Sequence, residues 1–198
     1  MSYVLGVTGG IASGKSTVVN VFKRFRFPVV DGDLVARKVV EPATDGLAAI
    51  TKQFGEGILN PNGTLNRKKL GKIVFHDPVQ RKKLNQTLDP FIRTEIDHQI
   101  NDAKLHSALV IADIPLMYET HYDQAMDAVA VVYVDSSTQL KRLMARDHYS
   151  EEEAMERINS QMSLDEKRHL AHYVFDNRGT IDETEEQVIL WLKHHRFL

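Results

Sequence analysis

Gly9-Gly10-Ile11-Ala12-Ser13-Gly14-Lys15-Ser16-Thr17 follows the apolar run Tyr3-Val4-Leu5-Gly6-Val7-Thr8 and precedes a helical pattern. The stretch reads G-x-x-x-x-G-K-S in the strand–loop–helix context that this phosphate-binding motif requires. Backbone N–H groups of such a loop form a concave anion nest, and the helix behind it adds its positive end. Gly9 and Gly14 permit backbone angles and close approach that a Cβ would block. Gly10, Ile11, Ala12, Ser13, Gly14, Lys15, Ser16 and Thr17 are therefore the candidate nucleotide-binding residues. Lys15 is placed to reach the β- and γ-phosphates of a nucleoside triphosphate, and the Ser16 hydroxyl to ligate Mg²⁺. A chance glycine-rich turn is the alternative. Val18, Val21, Phe22 and Phe25, at helical spacing after Lys15, supply the amphipathic helix that such a turn would lack.

Outward from the loop, the 198 residues suit one α/β domain with a sizeable core and small insertions. The 42% hydrophobic and 26% charged content is that of a soluble globular chain rather than a disordered or membrane one. A net charge of −2 offers no basic field for nucleic acid or an anionic membrane, so neither is expected as a partner. The absence of cysteine excludes disulfides and thiolate metal sites. The N-terminus runs into a strand without a basic, cleavable leader, and no apolar run reaches spanning length. A cytoplasmic protein, monomeric or weakly homo-oligomeric, is expected.

Five strand-like runs alternate with helical patterns: Tyr3–Thr8, Pro28–Asp31, Ala108–Asp113, Ala128–Asp135 and Tyr173–Asn177. Runs such as Leu109-Val110-Ile111-Ala112 are continuously apolar, as strands covered on both faces are, which predicts a parallel five-stranded sheet in an α/β fold. Ligands bind such sheets at the carboxyl ends of the strands, where Thr8, Asp31, Asp113 and Asn177 fall. Helical insertions are expected at about 40–106 and 139–172, leaving a core of about 1–39, 107–138 and 173–198. In the first, Asn60-Pro61-Asn62-Gly63 marks a turn and Asp89-Pro90 reads as a helix start. In the second, Ser150-Glu151-Glu152-Glu153 and Ser163-Leu164-Asp165-Glu166 match the capping box. Thr184-Glu185-Glu186-Gln187 reads as the start of the last helix, with Val188, Trp191, Leu192 and His195 on one face.

Three further constellations bear on chemistry. Asp31 and Asp33 share a face if their segment is extended; one carboxylate then serves as a base, or the Asp-Gly pair is an Asx-type turn. Asp113, ending a buried strand, is either a partner of Mg²⁺ or a turn cap. Arg142 and Arg146, one helical turn apart, either neutralise phosphate charge or belong to a solvated charged helix. The nine histidines are scattered and assemble no ligand set by spacing.

In this order the chain carries GVTGGIASGKST, VVDGDLVARKVV, GTLNRKKLGKIVF, LDPFI, IADIPLMYE, RLMARD and DNRG. Together these stretches resemble the dephospho-CoA kinase family from Val4 to about Gly179. The Asp31–Arg37 and Asp113–Glu119 blocks are far more specific than the phosphate loop. The resemblance implies a P-loop NTPase of nucleoside-monophosphate-kinase type, with a helical substrate-binding insert and a lid in the two insertions. It implies transfer of the γ-phosphate of ATP, with Mg²⁺, to the ribose 3′-hydroxyl of dephospho-CoA. By the same resemblance Asp33 is the general base with Asp31 supporting it, and Lys15 and Arg146 act on the phosphates. Arg142 and Asn177 lie by the adenine, and Ser16 and Asp113 hold the metal. Thr8, Asp31, Asp33, Arg37, Leu65, Arg67, Leu116 and Tyr118 fall on the acceptor side.

The chain departs from the family pattern at Ala12, where a glycine is usual, at Gly32 within the Asp-x-Asp pair, at Asn66, and at Asp89 before Pro90. None removes a group needed for phosphoryl transfer. The rival readings are another small-molecule kinase, opposed by the two specific blocks, and a nucleotide switch. The switch would need an Asn-Lys-x-Asp segment for guanine, which the chain lacks.

Overall fold

The computed structural model describes residues 2–74 and 77–198. Phe75, the last residue of the Gly63 stretch quoted above, lies outside them. The chain runs β1 (Tyr3–Gly9), α1 (Lys15–Arg24), β2 (Val29–Asp31), α2 (Gly32–Lys38), α3 (Asp45–Phe54), α4 (Arg67–Val74) and α5 (Pro78–Lys104). It continues through β3 (Leu109–Asp113), β4 (Ala128–Tyr133), α6 (Ser136–Asp147), α7 (Glu151–Asn159), α8 (Leu164–Leu170), β5 (Tyr173–Asp176) and α9 (Ile181–His194).

The strands form a five-stranded sheet in the order β2-β3-β1-β4-β5. β1 pairs in parallel with β3 and β4, and β4 with β5. Every residue of β3 and β4 is buried, which is why their sequences run apolar without alternation. Val7 lies opposite Asp113 and Gly9 opposite Val132, so β1, β3 and β4 end at one level. Val18, Phe22, Val188, Trp191 and Leu192, from α1 and α9, pack with Leu5, Val7, Ile111 and Val132 in one core cluster. Truncating a fully buried residue such as Phe22 to alanine costs about 3–5 kcal/mol.

Residues up to Val30 and Ile100–Leu198 make one compact unit, and Asp31–Gln99 a second. Within the second, the turn at Asn60–Gly63 is closed by the Asn60 N–H on the Thr64 carbonyl and by an antiparallel bridge between Leu59 and Leu65. Asn60, Asn62, Thr64 and Asn66 form a side-chain network over it.

Four local expectations are corrected. Asp89-Pro90 does not begin a helix: Pro90 lies inside the 27-residue α5, and Asp89 pairs with Arg93 one turn on. An interior proline removes one backbone donor, a loss of about 3 kcal/mol that so long a helix absorbs. The last helix starts at Ile181, capped by a reciprocal Thr180–Glu183 box, and Thr184 is buried within it. Thr-x-x-Glu at Thr180 and Thr-x-x-Gln at Thr184 both match the capping pattern, and burial of Thr184 decides between them. Phe25 caps α1 and is 37% exposed rather than part of its buried face. Asp31-Gly32-Asp33 is not extended: the Asp31 side chain accepts from the N–H groups of Asp33 and Leu34 and starts α2.

Candidate active site

The loop between β1 and α1 is held from outside by side chains of distant segments. Gln139 Nε2 donates to the Ile11 carbonyl at 2.9 Å, and the Ile11 N–H donates to Gln161 Oε1 at 2.9 Å. Asn177 Nδ2 donates to the Ser13 carbonyl at 2.8 Å, while its Oδ1 accepts from the Thr184 hydroxyl. The approach is too close for side chains on the loop. A Cβ at Gly14 would lie 2.0 Å from Asn177 Nδ2, and one at Gly10 2.7 Å from Gln139 Nε2. Gly14 also sits at φ 84°, in the left-handed region. Ala12 adopts φ 59° as well, a conformation that costs an L-residue with a Cβ about 1–2 kcal/mol. The alanine that replaces the family's glycine is thus accommodated with strain.

Two lysine–carboxylate pairs stand at the carboxyl ends of β1 and β3. Lys15, the first residue of α1, pairs with Asp113, the last of β3. Lys167 of α8 is wholly buried and pairs with Glu119 at 2.9 Å. Its ammonium also donates to the carbonyls of Gly9 at 3.2 Å and Pro115 at 2.8 Å. Burial pushes the Lys167 ammonium below the usual lysine range, the Glu119 carboxylate pulls it back, and the charge of Lys15 adds to the lowering. Glu119 Oε1 accepts the Met162 N–H as well, which ties the α7–α8 turn to the segment after β3.

Arg142, on α6, donates to the Asn177 carbonyl at 2.9 Å, so these two residues meet beside the loop. Arg146 turns to its neighbour Asp147 in a two-pronged pair, and that carboxylate raises the guanidinium further. Thr8 is fully buried and gives its hydroxyl to the Pro115 carbonyl at 2.9 Å. Leu116 is exposed, and Tyr118 is buried with its hydroxyl unpartnered. Burial pushes the Tyr118 phenol up to about 12, with the Asp123 charge adding to it.

In the Asp31–Gln99 unit, Asp31 is occupied by its cap on α2, while Asp33, in the first turn, is exposed and its side chain makes no hydrogen bond or ion pair with a described residue. The Asx-type turn and the available carboxylate are therefore both present, on different aspartates. Arg67 reaches the Arg37 carbonyl at 3.5 Å, and Leu65 sits in the bridge closing the Asn60–Gly63 turn.

The structure thus gathers Lys15, Asp113, Arg142 and Asn177 around the loop. Gln139, Gln161, Glu119 and Lys167 were not singled out as site residues from sequence. Their types are common on helices, and only the burial of Lys167 betrays them. The loop fits a polyphosphate. The Ser13 hydroxyl is buried without a partner, and the glycines at 10 and 14 let Gln139 and Asn177 close onto the loop from outside. Ser16, exposed at the first turn of α1, and Asp113 are hard oxygen donors of the kind Mg²⁺ takes.

A sheet of this order with a lysine-bearing phosphate loop after its central strand defines a P-loop nucleotide-binding protein. The sequence profile of the dephospho-CoA kinases matches residues 3–183. A dephospho-CoA kinase of Enterococcus faecalis is 54% identical over 193 residues, covering 98% of this chain and 97% of that one. Among solved structures, protein TT1252 from Thermus thermophilus superposes with a TM-score of 0.82 at 30% identity, covering 98% of this chain and 97% of its own. The dephospho-CoA kinase from Campylobacter jejuni gives 0.74 at 29%, covering 98% and 96%. The chain belongs to the dephospho-CoA kinase family.

Proposed function

We propose that this kinase transfers the γ-phosphate of ATP to the ribose 3′-hydroxyl of dephospho-CoA, giving coenzyme A and ADP. Family membership carries the reaction, and the cradle around Gly9–Ser16, with Lys15 at its edge, carries the phosphate donor. Lys15 exchanges Asp113 for the phosphates and follows their charge into the transition state, and Arg142 and Arg146 close from α6 with the 139–172 lid. Ser16 and Asp113 would hold Mg²⁺, which would supply charge neutralisation to the phosphates. Asp33 accepts the proton of the attacking hydroxyl, and Asp31 keeps it in register by capping the same turn. Family membership implies that Arg37, Leu65, Arg67, Leu116 and Tyr118 are acceptor-side residues, and Thr8 supports the turn that carries Leu116. The transition state is loose, so these groups act mainly by position and charge. Among the described residues no helix is long and apolar enough to cross a membrane. We further infer a cytoplasmic enzyme, monomeric or weakly homo-oligomeric, and the net charge of −2 offers no basic field for nucleic acid or an anionic membrane.

The test is mass detection of one added phosphate on dephospho-CoA with ATP and Mg²⁺, followed by treatment with a 3′-nucleotidase. Stoichiometric ADP and a product reversed by that nucleotidase are expected. ADP release that no acceptor stimulates, or a product that resists the nucleotidase, overturns the assignment.

A further inference from the structure

We infer that Lys167, Gln139 and Asn177 are positioning residues that set the direction of the loop's anion-binding N–H groups before any nucleotide arrives. The inference rests on the reading of the loop as a phosphate site and adds to it the parts that hold the loop open. The three side chains take the carbonyls of Gly9, Ile11 and Ser13, every second residue of the loop. No cis peptide occurs among the described residues. In a planar trans peptide the carbonyl and the following N–H point in opposite directions. Pinning those carbonyls outward therefore turns the N–H groups of Gly10, Ala12 and Gly14 to the opposite side. The groups between them are already matched: the Ser13 N–H closes onto the Gly10 carbonyl at 3.1 Å, and the Ile11 N–H goes to Gln161. Ala12 and Gly14, whose N–H groups are turned to that side, both sit at left-handed angles.

Lys167 does this without touching substrate. Its ammonium has three protons and three acceptors, on Gly9, Pro115 and Glu119, so none remains for a phosphate. Lys15 and Lys167 thus divide the work: one faces the ligand, the other the backbone. Donors oriented in advance act without reorganisation when the charge arrives.

The test uses the full chain and measures nucleotide binding by calorimetry, apart from turnover. Gln139→Leu removes one pin with little change in volume. Lys167→Met with Glu119→Gln removes another without leaving a buried carboxylate. Each is expected to raise the dissociation constants of ADP and ATP about tenfold, with AMP changed less than about twofold and the KM for dephospho-CoA unmoved. Unchanged ADP affinity in Gln139→Leu overturns the inference, as does equal weakening of ADP and AMP. If the double variant does not fold, Gln139→Leu decides alone. Wild-type protein that binds ADP but leaves dephospho-CoA unphosphorylated sinks the proposed function and not this inference.

Discussion

The turns after β1 and β2 are both strand-to-helix turns at the carboxyl end of a parallel strand, yet they are held in opposite ways. The first is gripped by side chains from α6, α8 and the segments after α7 and β5, up to 164 positions away in sequence. The second is set by one aspartate acting two and three residues ahead. The difference follows from what each turn presents. A loop that offers backbone dipoles to a polyphosphate must have those dipoles fixed, and backbone has no rotamer of its own to lock. A turn that offers a single carboxylate needs only the right first turn of helix, which a local cap provides.

The sharpest way to break this comparison is Asp33→Asn. It is expected to lower kcat by about 10²–10⁴ while leaving the ADP dissociation constant unchanged, as rapid-quench turnover and calorimetry would read. Unchanged turnover would remove Asp33 from the base role. Lys167→Met alone strikes the other turn. It strands the Glu119 carboxylate and should cost about 3–5 kcal/mol in a denaturant melt, because a half-removed buried pair leaves a charge unmatched. A loss below 1 kcal/mol would mean that water reaches the site freely. Asp31→Ala should cost about 0.5–2 kcal/mol of stability, the usual value of an N-cap, and reduce kcat while sparing nucleotide affinity. A fall in ADP affinity would show that the two turns are not independent. The smallest effect is Ala12→Gly. Release of the left-handed angle, offset by the greater freedom of glycine in the unfolded chain, should stabilise the protein by up to about 1 kcal/mol. Destabilisation would show that the methyl group packs.

Much of this was legible in the sequence for identifiable reasons. The phosphate loop shows itself because its glycines, lysine and serine are consecutive and its flanks are a buried strand and an amphipathic helix. β3 and β4 show themselves most plainly, because strands buried along their whole length run apolar without alternation. Local competition was less legible. Asp89-Pro90 has the chemistry of a helix start, and only the continuation of α5 on both sides makes it an interior pair. Thr180 and Thr184 carry the same capping pattern, and burial of the second under Asn177 settles which one begins α9. Of the collar around the loop only Asn177, at a strand end, was legible, since a glutamine on α6 and a lysine on α8 look like solvent-facing helix residues.

The sequence by itself determined the class of the fold and the phosphate loop, and left open whether Asp31 and Asp33 share an extended face or form a capping turn. These rest on residues near one another in the chain, where spacing and periodicity carry the physics. Only the tertiary structure decided that Lys15 meets Asp113 and that Lys167 lies buried against Gly9, Pro115 and Glu119. It alone showed that Gln139 and Asn177 hold alternate carbonyls of the loop. Those contacts join segments that no local rule relates, and burial, which gives a hydrogen bond its weight, exists only once the chain has folded.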